Sequence, residues 1–319
     1  MPHTAPDDIR VDARHVHKKD PRGVLVTAAR SVTTSAARGV TTARALAVGD
    51  VWQVDAHLPL AESQGEVFAH ADALVIAVEA LRQAGIAHAH VAAGVPVGHR
   101  FIASHMGLTW LVDPGFLGTA PVDVTFAIVT EEVRHQRGRL VRHVFTAALL
   151  CDGVRIARGT GSLQVVEARV YERLRAGATP WSEVSAHHDP SSLLGIATTD
   201  HELTARLGWS ASDPITFDHG NDHMPAMHLA RTALAAHHAL DPASSPTGLL
   251  VRCTAFVELG GDVAVRAVRT AHGGVETTFA QSGVVAATVV TTDDVSTATQ
   301  TAAGRAGRTV PMLSGAGPE

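Results

Sequence analysis

The stretch Ala71-Asp72-Ala73-Leu74-Val75-Ile76-Ala77-Val78-Glu79-Ala80-Leu81-Arg82-Gln83-Ala84-Gly85-Ile86-Ala87-His88 decides how the chain is read. Leu74, Ala77, Val78, Leu81 and Gly85 recur at three- and four-residue spacing, which marks a helix over residues 71–88 with a wide apolar face. A helix so apolar belongs at the centre of the protein, buried. Gly94-Val95-Pro96-Val97-Gly98 stops it.

Before the helix, residues 24–34 and 50–58 are rich in Val, Thr and alternating apolar positions and read as strands, joined by a small-residue loop at 36–41. After it, 101–112, 122–135, 140–151 and 154–166 form an antiparallel meander, turned at Asp113-Pro114-Gly115, Arg137-Gly138 and Asp152-Gly153. Asp-Gly is a hairpin signal because both positions tolerate positive φ. A short helix at 170–176 and a Pro/Ser/His-rich linker follow. The pattern then repeats: a short extended piece at 215–217, a helix over 224–238, and strands at 249–259, 262–270, 274–281 and 284–291.

A buried helix followed by an antiparallel sheet is economical when the sheet wraps the helix and buries one face against it. That is the hotdog arrangement, and its open sheet edge favours pairing, here within one chain. The expected class is α+β, a tandem double hotdog: an N-terminal extension (1–22), an N-terminal hotdog (23–178), a linker (179–192), a C-terminal hotdog (193–292) and a flexible tail (293–319).

The 319 residues suit two domains, and 45% hydrophobic against 18% charged residues supplies two cores. Net charge is −5 with the basic residues scattered, which speaks against a nucleic-acid surface. The start of the chain carries Pro, Asp, Arg and His where a signal peptide would be apolar, and no long apolar run follows, so the expectation is a cytoplasmic protein with no membrane partner. Cys151 and Cys253 sit in apolar strand-like segments and read as reduced, buried thiols. Lysine occurs only at Lys18 and Lys19, a bias of arginine over lysine that a GC-rich genome produces.

Chemistry-bearing residues gather at the helices. Glu79 is a carboxylate on an apolar helix face, where desolvation raises its pKa toward a general base's range. Arg82, three residues on, lies on the neighbouring face of the same helix, placed to pair with it. Ahead of the second helix, Asp218, His219, Asp222 and His223 crowd an entry where free backbone N–H groups attract anions. His223 could polarise a carbonyl; alternatively Asp218 or Asp222 caps the helix and the histidines are exposed. His219-x-x-x-His223 has metal-ligand spacing without a clear third ligand, so no metal and no cofactor are expected. Overlaying the two helices puts Arg231 at the position of Glu79.

The sequence resembles the A-factor biosynthesis (AfsA-like) family. Glu79-Ala80-Leu81-Arg82-Gln83-Ala84-Gly85 resembles that family's E-x-x-R-Q-A-G helix. Val16-His17-Lys18, Gly23-Val24-Leu25-Val26-Thr27, Gly94-Val95-Pro96-Val97-Gly98-His99-Arg100-Phe101, Phe217-Asp218-His219 and Asp222-His223-Met224-Pro225 continue the resemblance in the family's order. The resemblance implies an acyltransferase moving a β-ketoacyl group from an acyl carrier protein or CoA thioester to dihydroxyacetone phosphate, in the making of γ-butyrolactone or butenolide signals. Glu79, Arg82, Gln83 and His223 would then be catalytic, with Arg82 either merely holding Glu79 or also binding the substrate phosphate and Gln83 orienting a substrate oxygen; Arg231, as a phosphate anchor or the partner of an aspartate, Asp222, His219 and Arg100 would bind substrate. The chain departs from the pattern at Arg231-Thr232-Ala233-Leu234-Ala235, where a second E-x-x-R-Q helix is expected. A hotdog dehydratase or thioesterase, or a regulatory ligand-binding protein, are the competing readings. The chain would act as a monomer with an internal hotdog pair or as a homodimer.

Overall fold

The structure, a computed structural model, describes residues 8–32, 45–60, 65–68, 71–189, 191–271 and 273–293. The expected loop at 36–41 and nearly all of the expected tail lie outside the described residues.

The first half supplies strands β1 (Ile9–Arg10), β2 (Val26–Ser31) and β3 (Val51–Leu58), a one-turn helix α1 (Gly65–Phe68), the long helix α2 (Ala73–Ala93), then β4 (Arg100–Trp110), β5 (Val122–Gln136), β6 (Arg139–Cys151) and β7 (Val154–Val166). Helices α3 (Ala168–Leu174) and α4 (Trp181–Val184) connect the halves. The second half supplies β8 (Leu193–Thr198), β9 (Glu202–Leu207), helix α5 (Ala226–Leu240), β10 (Gly248–Cys253), β11 (Ala264–Arg269), β12 (Val275–Gln281) and β13 (Val284–Thr292).

Among the described residues, all thirteen strands join one antiparallel sheet in the order β1-β2-β3-β5-β6-β7-β4-β10-β13-β12-β11-β9-β8. Apart from β1, the two halves of that order are copies, and they meet where β4 pairs with β10, from Gly248 opposite Thr109 to Arg252 opposite His105. The double hotdog is therefore one continuous layer wrapped around two helices, as the repeat predicts.

Three expectations change in detail. Residues 215–217 form no strand: Ile215 and Thr216 lie in a turn that Phe217 follows, and all three are buried. The strands opening the second half are instead β8 and β9, which makes the repeat more complete than the sequence pattern suggests. The linker carries helix α4 and an anchoring contact, Trp181 stacked on Phe217 at 5.8 Å between ring centroids, while none of its described residues is buried. Cys151 and Cys253 are free and only partly buried, each packed against the core at the end of its strand, and Cys253 lines the cleft between the halves.

Helix α2 starts at Asp72, whose carboxylate accepts the Leu74 N–H at 2.7 Å, and ends on Gly94 in the left-handed region at φ 63°. Every residue from Leu74 to His90 is buried except Arg82. An all-round apolar helix has to be enclosed, and β2, β3 and β4 enclose it. Phe145 of β6 lies fully buried between α2 and the sheet. A methyl group at Gly85 would approach its ring to 2.6 Å, and one at Gly161 of β7 to 2.4 Å. Both glycines are required by that close approach.

The described part of the N-terminal extension is tied to the sheet. Ile9 and Arg10 pair with β2, Asp12 accepts the Arg14 and His15 N–H groups at the start of a 3-10 turn (Ala13–Val16), and Val16 is fully buried. Residues 17–20 then run across to the second half. No described helix is long and apolar enough to cross a membrane.

The packing around Phe145 gives a test. Gly85→Ala should destabilise the protein by about 1–3 kcal/mol through overpacking, although alanine favours an isolated helix by about 1 kcal/mol. Urea denaturation reads the balance, and an unchanged or higher midpoint would refute this account of the ring's seat.

Candidate active site

Glu79, Arg82, Arg100, His219, Asp222 and His223 all line one cleft of about 740 Å³ between the halves. Helix α2 provides the first two and the start of β4 provides Arg100. The segment leading into α5 provides the rest.

At the cleft's floor is a buried ion cluster. Arg82 donates twice to Glu79, from Nε to Oε2 at 2.7 Å and from Nη2 to Oε1 at 2.8 Å. Lys18 Nζ lies 3.3 Å from Glu79 Oε1 and donates to the Ile215 carbonyl at 2.7 Å. Glu79 is 1% exposed. Burial alone would raise its pKa, yet the charges of Arg82 and Lys18, with hydrogen bonds from Arg82 and Gln83, outweigh burial and hold the carboxyl at about 2.

This overturns the expectation of a raised carboxylate pKa. Glu79 is anionic throughout the working range and its oxygens are committed, so its proton affinity is poor for a general base. The sequence shows the desolvation; it does not show Lys18 arriving from 61 positions away.

Gln83 is also placed differently. It is wholly buried, with Nε2 donating to the Gly23 carbonyl at 2.8 Å and to Glu79 Oε1 at 2.9 Å, while Oε1 accepts the Leu25 N–H at 2.8 Å. Its amide locks α2 to the N-terminal segment and has nothing left for a substrate oxygen. Arg82, whose side chain is 21% exposed against 1% for Glu79, is the more accessible of the two members of the helix motif that line the cleft.

On the opposite wall stand two Asp–His pairs. His219 Nδ1 is 2.5 Å from Asp218 Oδ1, and His223 Nδ1 is 2.6 Å from Asp222 Oδ1. A carboxylate at Nδ1 favours the tautomer whose Nε2 carries the lone pair. Both rings are about one-third exposed, and neither Nε2 makes a hydrogen bond to another described residue.

Neither aspartate caps α5. Its N-cap is Pro225, without a side-chain hydrogen bond. Asp218 instead accepts the Lys19 N–H at 2.8 Å, which joins the N-terminal segment to the second half. Burial would raise Asp222, but His223, Arg175 and Tyr171 hold its carboxyl far below the usual range. His17, at the cleft's edge, is pulled down to about 3 by burial and by the neighbouring His90, Arg82, Arg100 and His219. It is therefore neutral. Each histidine of the His219-x-x-x-His223 spacing faces its own aspartate, and among the described residues no group of three His, Cys, Asp or Glu side chains is gathered as a metal site.

Arg231 is elsewhere. It pairs with Asp213 in a second pocket of about 650 Å³, lined by Asp72 and Val75 of the α2 entry and by His228, Leu234 and His238 of α5. The aspartate partner foreseen as an alternative is the one observed, and the residue does not meet the others. Sequence reasoning missed Tyr171, Arg175 and the ionic role of Lys18. Composition carried a signal for two of them: Tyr171 is the chain's single tyrosine, and Lys18 is one of two lysines.

The architecture and the inter-half cleft define a tandem hotdog protein. Within that class the chain belongs to the A-factor biosynthesis hotdog domain family, whose model matches residues 2–167. It is 29% identical over 197 residues to a 2-oxo-3-(phosphooxy)propyl 3-oxoalkanoate synthase of Streptomyces virginiae, covering 58% of this chain and 67% of that protein. A protein of the same description from Streptomyces coelicolor is 28% identical over 175 residues, covering 52% of this chain and 55% of its own length. Among solved structures, an acyl-ACP thioesterase from Bacteroides thetaiotaomicron shares the fold, with a TM-score of 0.50 and 11% identity over 75% of this chain and 97% of that one.

The ion cluster predicts how stability depends on acid. The folded pKa of Glu79, about 2, lies below its ordinary 4.5. Its contribution is therefore complete above pH 4.5 and is lost as pH falls from 4.5 toward 2. Glu79→Gln leaves Arg82 and Lys18 without their counter-charge and should cost about 3–5 kcal/mol at neutral pH. It should also flatten the acid limb in that window. Urea midpoints measured against pH for both proteins check this, and coincident curves would refute it.

Proposed function

We propose that the protein transfers a β-ketoacyl group from a carrier-protein or coenzyme A thioester to the primary hydroxyl of dihydroxyacetone phosphate. The observation that carries this reading is the Asp222–His223 pair, at 2.6 Å, facing arginines across one cleft in a member of this family.

The reaction needs a base for the hydroxyl, a field that favours the thioester's oxyanion and an anchor for the phosphate. His223 Nε2 takes the hydroxyl proton while Asp222 supports the imidazolium that results. The freed oxygen attacks the thioester carbonyl and the tetrahedral intermediate expels the thiolate. The thiolate receives the proton from His223, leaving a β-keto ester and a free thiol with no change of oxidation state.

Arg82 sets a positive floor under the developing oxyanion, with Glu79 and Gln83 holding it rather than reacting. Arg100 binds the phosphate. The other arginines of the cleft are tied to carboxylates, Arg82 to Glu79 and Arg175 to Asp222 and Glu258, whereas Arg100 makes no ion pair among the described residues. Its guanidinium sits 5.8 Å above the Tyr171 ring, which leaves the fork available to an anion.

Incubation of the protein with a β-ketoacyl thioester should yield the phosphorylated ester, seen by mass spectrometry, only when dihydroxyacetone phosphate is present. Release of the free acid at the same rate without the acceptor would identify a thioesterase instead. His223→Ala should lower kcat by about 10²–10⁴-fold. Arg100→Ala should raise KM for dihydroxyacetone phosphate by about tenfold or more and leave KM for the thioester unchanged. An unaltered acceptor KM would remove Arg100 from the phosphate site.

A further inference from the structure

The Asp222–His223 pair is held by residues that come from outside its own half. Asp222 Oδ2 accepts Arg175 Nε at 2.9 Å, Asp222 Oδ1 accepts the Tyr171 hydroxyl at 3.0 Å, and the Asp222 carbonyl accepts Arg175 Nη2 at 2.6 Å. Tyr171 is on α3, and Arg175 is that helix's C-cap. Both carboxylate oxygens and the backbone are thus fixed from one short helix, which begins just beyond the stretch that matches the family model.

Arg175 is itself anchored on its other side. It donates to Glu258 from Nη1 at 2.7 Å and from Nη2 at 2.6 Å, and its guanidinium lies 4.2 Å from the Phe256 ring centroid. Glu258 in turn is fixed to β12: its N–H donates to Gln281 Oε1 at 2.8 Å, and its carbonyl accepts Gln281 Nε2 at 3.1 Å. The Phe256 ring stands edge-on to His223 at 4.8 Å. His223 is therefore enclosed by three segments, α3, its own loop and the stretch after β10, all tied together through one guanidinium with a 9% exposed side chain.

We propose that Arg175 and Tyr171 are positioning residues that fix the Asp222 carboxylate and so aim the His223 imidazole, which makes the inter-half helix α3 part of the active site. The proposal rests on His223 being the base of the acyl transfer. Its physical content is orientation. A carboxylate with a single partner can rotate about its Cβ–Cγ bond and carry the imidazole with it, whereas one held at both oxygens and at its own backbone cannot. A proton acceptor misplaced by a fraction of an ångström loses rate without losing substrate affinity.

The test uses Tyr171→Phe, Arg175→Lys and His223→Ala in the full chain, alone and combined, with kcat and both KM values measured and folding checked by thermal melting. Tyr171→Phe removes one oxygen atom and should lower kcat about 3–10-fold. Arg175→Lys keeps the charge but loses the fork that joins Asp222 to Glu258, and should lower kcat about 30–100-fold. Both KM values should stay within about twofold of the original.

In a protein already carrying His223→Ala, either second change should lower the residual rate by less than about twofold, since nothing remains to be aimed. Full additivity on that background overturns the proposal, as does a rise in KM with kcat preserved, or a wild-type kcat in both single variants. If Arg175→Lys does not fold, Tyr171→Phe decides by the same criteria. Wild-type turnover in His223→Ala removes the base assignment and this proposal with it. Loss of turnover there with none in Tyr171→Phe or Arg175→Lys removes this proposal alone.

Discussion

A carboxylate buried in the middle of an apolar helix cannot stand alone, and much of the cleft follows from how Glu79 is neutralised. An ionised group taken out of water costs several kcal/mol unless charges and hydrogen bonds replace the water. Arg82 supplies one charge from the next turn of α2. Lys18 supplies the other, and to reach Glu79 the N-terminal segment must cross the mouth between the halves. Once there, it bonds the Ile215 carbonyl through Lys18 and the Asp218 carboxylate through the Lys19 N–H. The same cluster therefore buries an anion, exposes one edge of Arg82 and ties the first half to the loop that carries His219 and His223.

Burial divides the labour between the two walls. On the α2 wall the carboxylate is enclosed and doubly neutralised, so it stays ionised and immobile. On the α5 side, Asp222 is also held ionised, but its partner His223 is partly exposed and lines the cleft. Two carboxylates with depressed pKa values thus differ in the neighbour each presents to the cleft.

Much of the fold was legible because it rests on periodicity. The three- and four-residue spacing around Leu74, Val78 and Leu81 reports burial directly, and Asp152-Gly153 forms the turn expected of it, with φ of 48° and 77°. The misreading near residue 215 has a local cause: Ile215 and Phe217 are apolar because a turn inserts them into the core, whereas β8 is a short edge strand with exposed Ile196 and a register shift. The site was legible in its residue types and illegible in its pairings. Glu79, Arg82, Arg100 and His223 do share a cleft. That Lys18 would depress Glu79, that Gln83 would be enclosed, and that Tyr171 and Arg175 would hold Asp222 are contacts between residues about 50 to 60 positions apart, set by tertiary packing and by no local pattern.

The seam between β4 and β10 joins two halves encoded in a single polypeptide, and this frees them from symmetry. In an assembly of two identical subunits any substitution appears in both clefts, so neither can change without the other. Fusion lifts that restriction. One helix can keep its acid and arginine while the other carries Arg231 turned toward Asp213, and each cavity can drift toward its own chemistry while the common sheet preserves the scaffold.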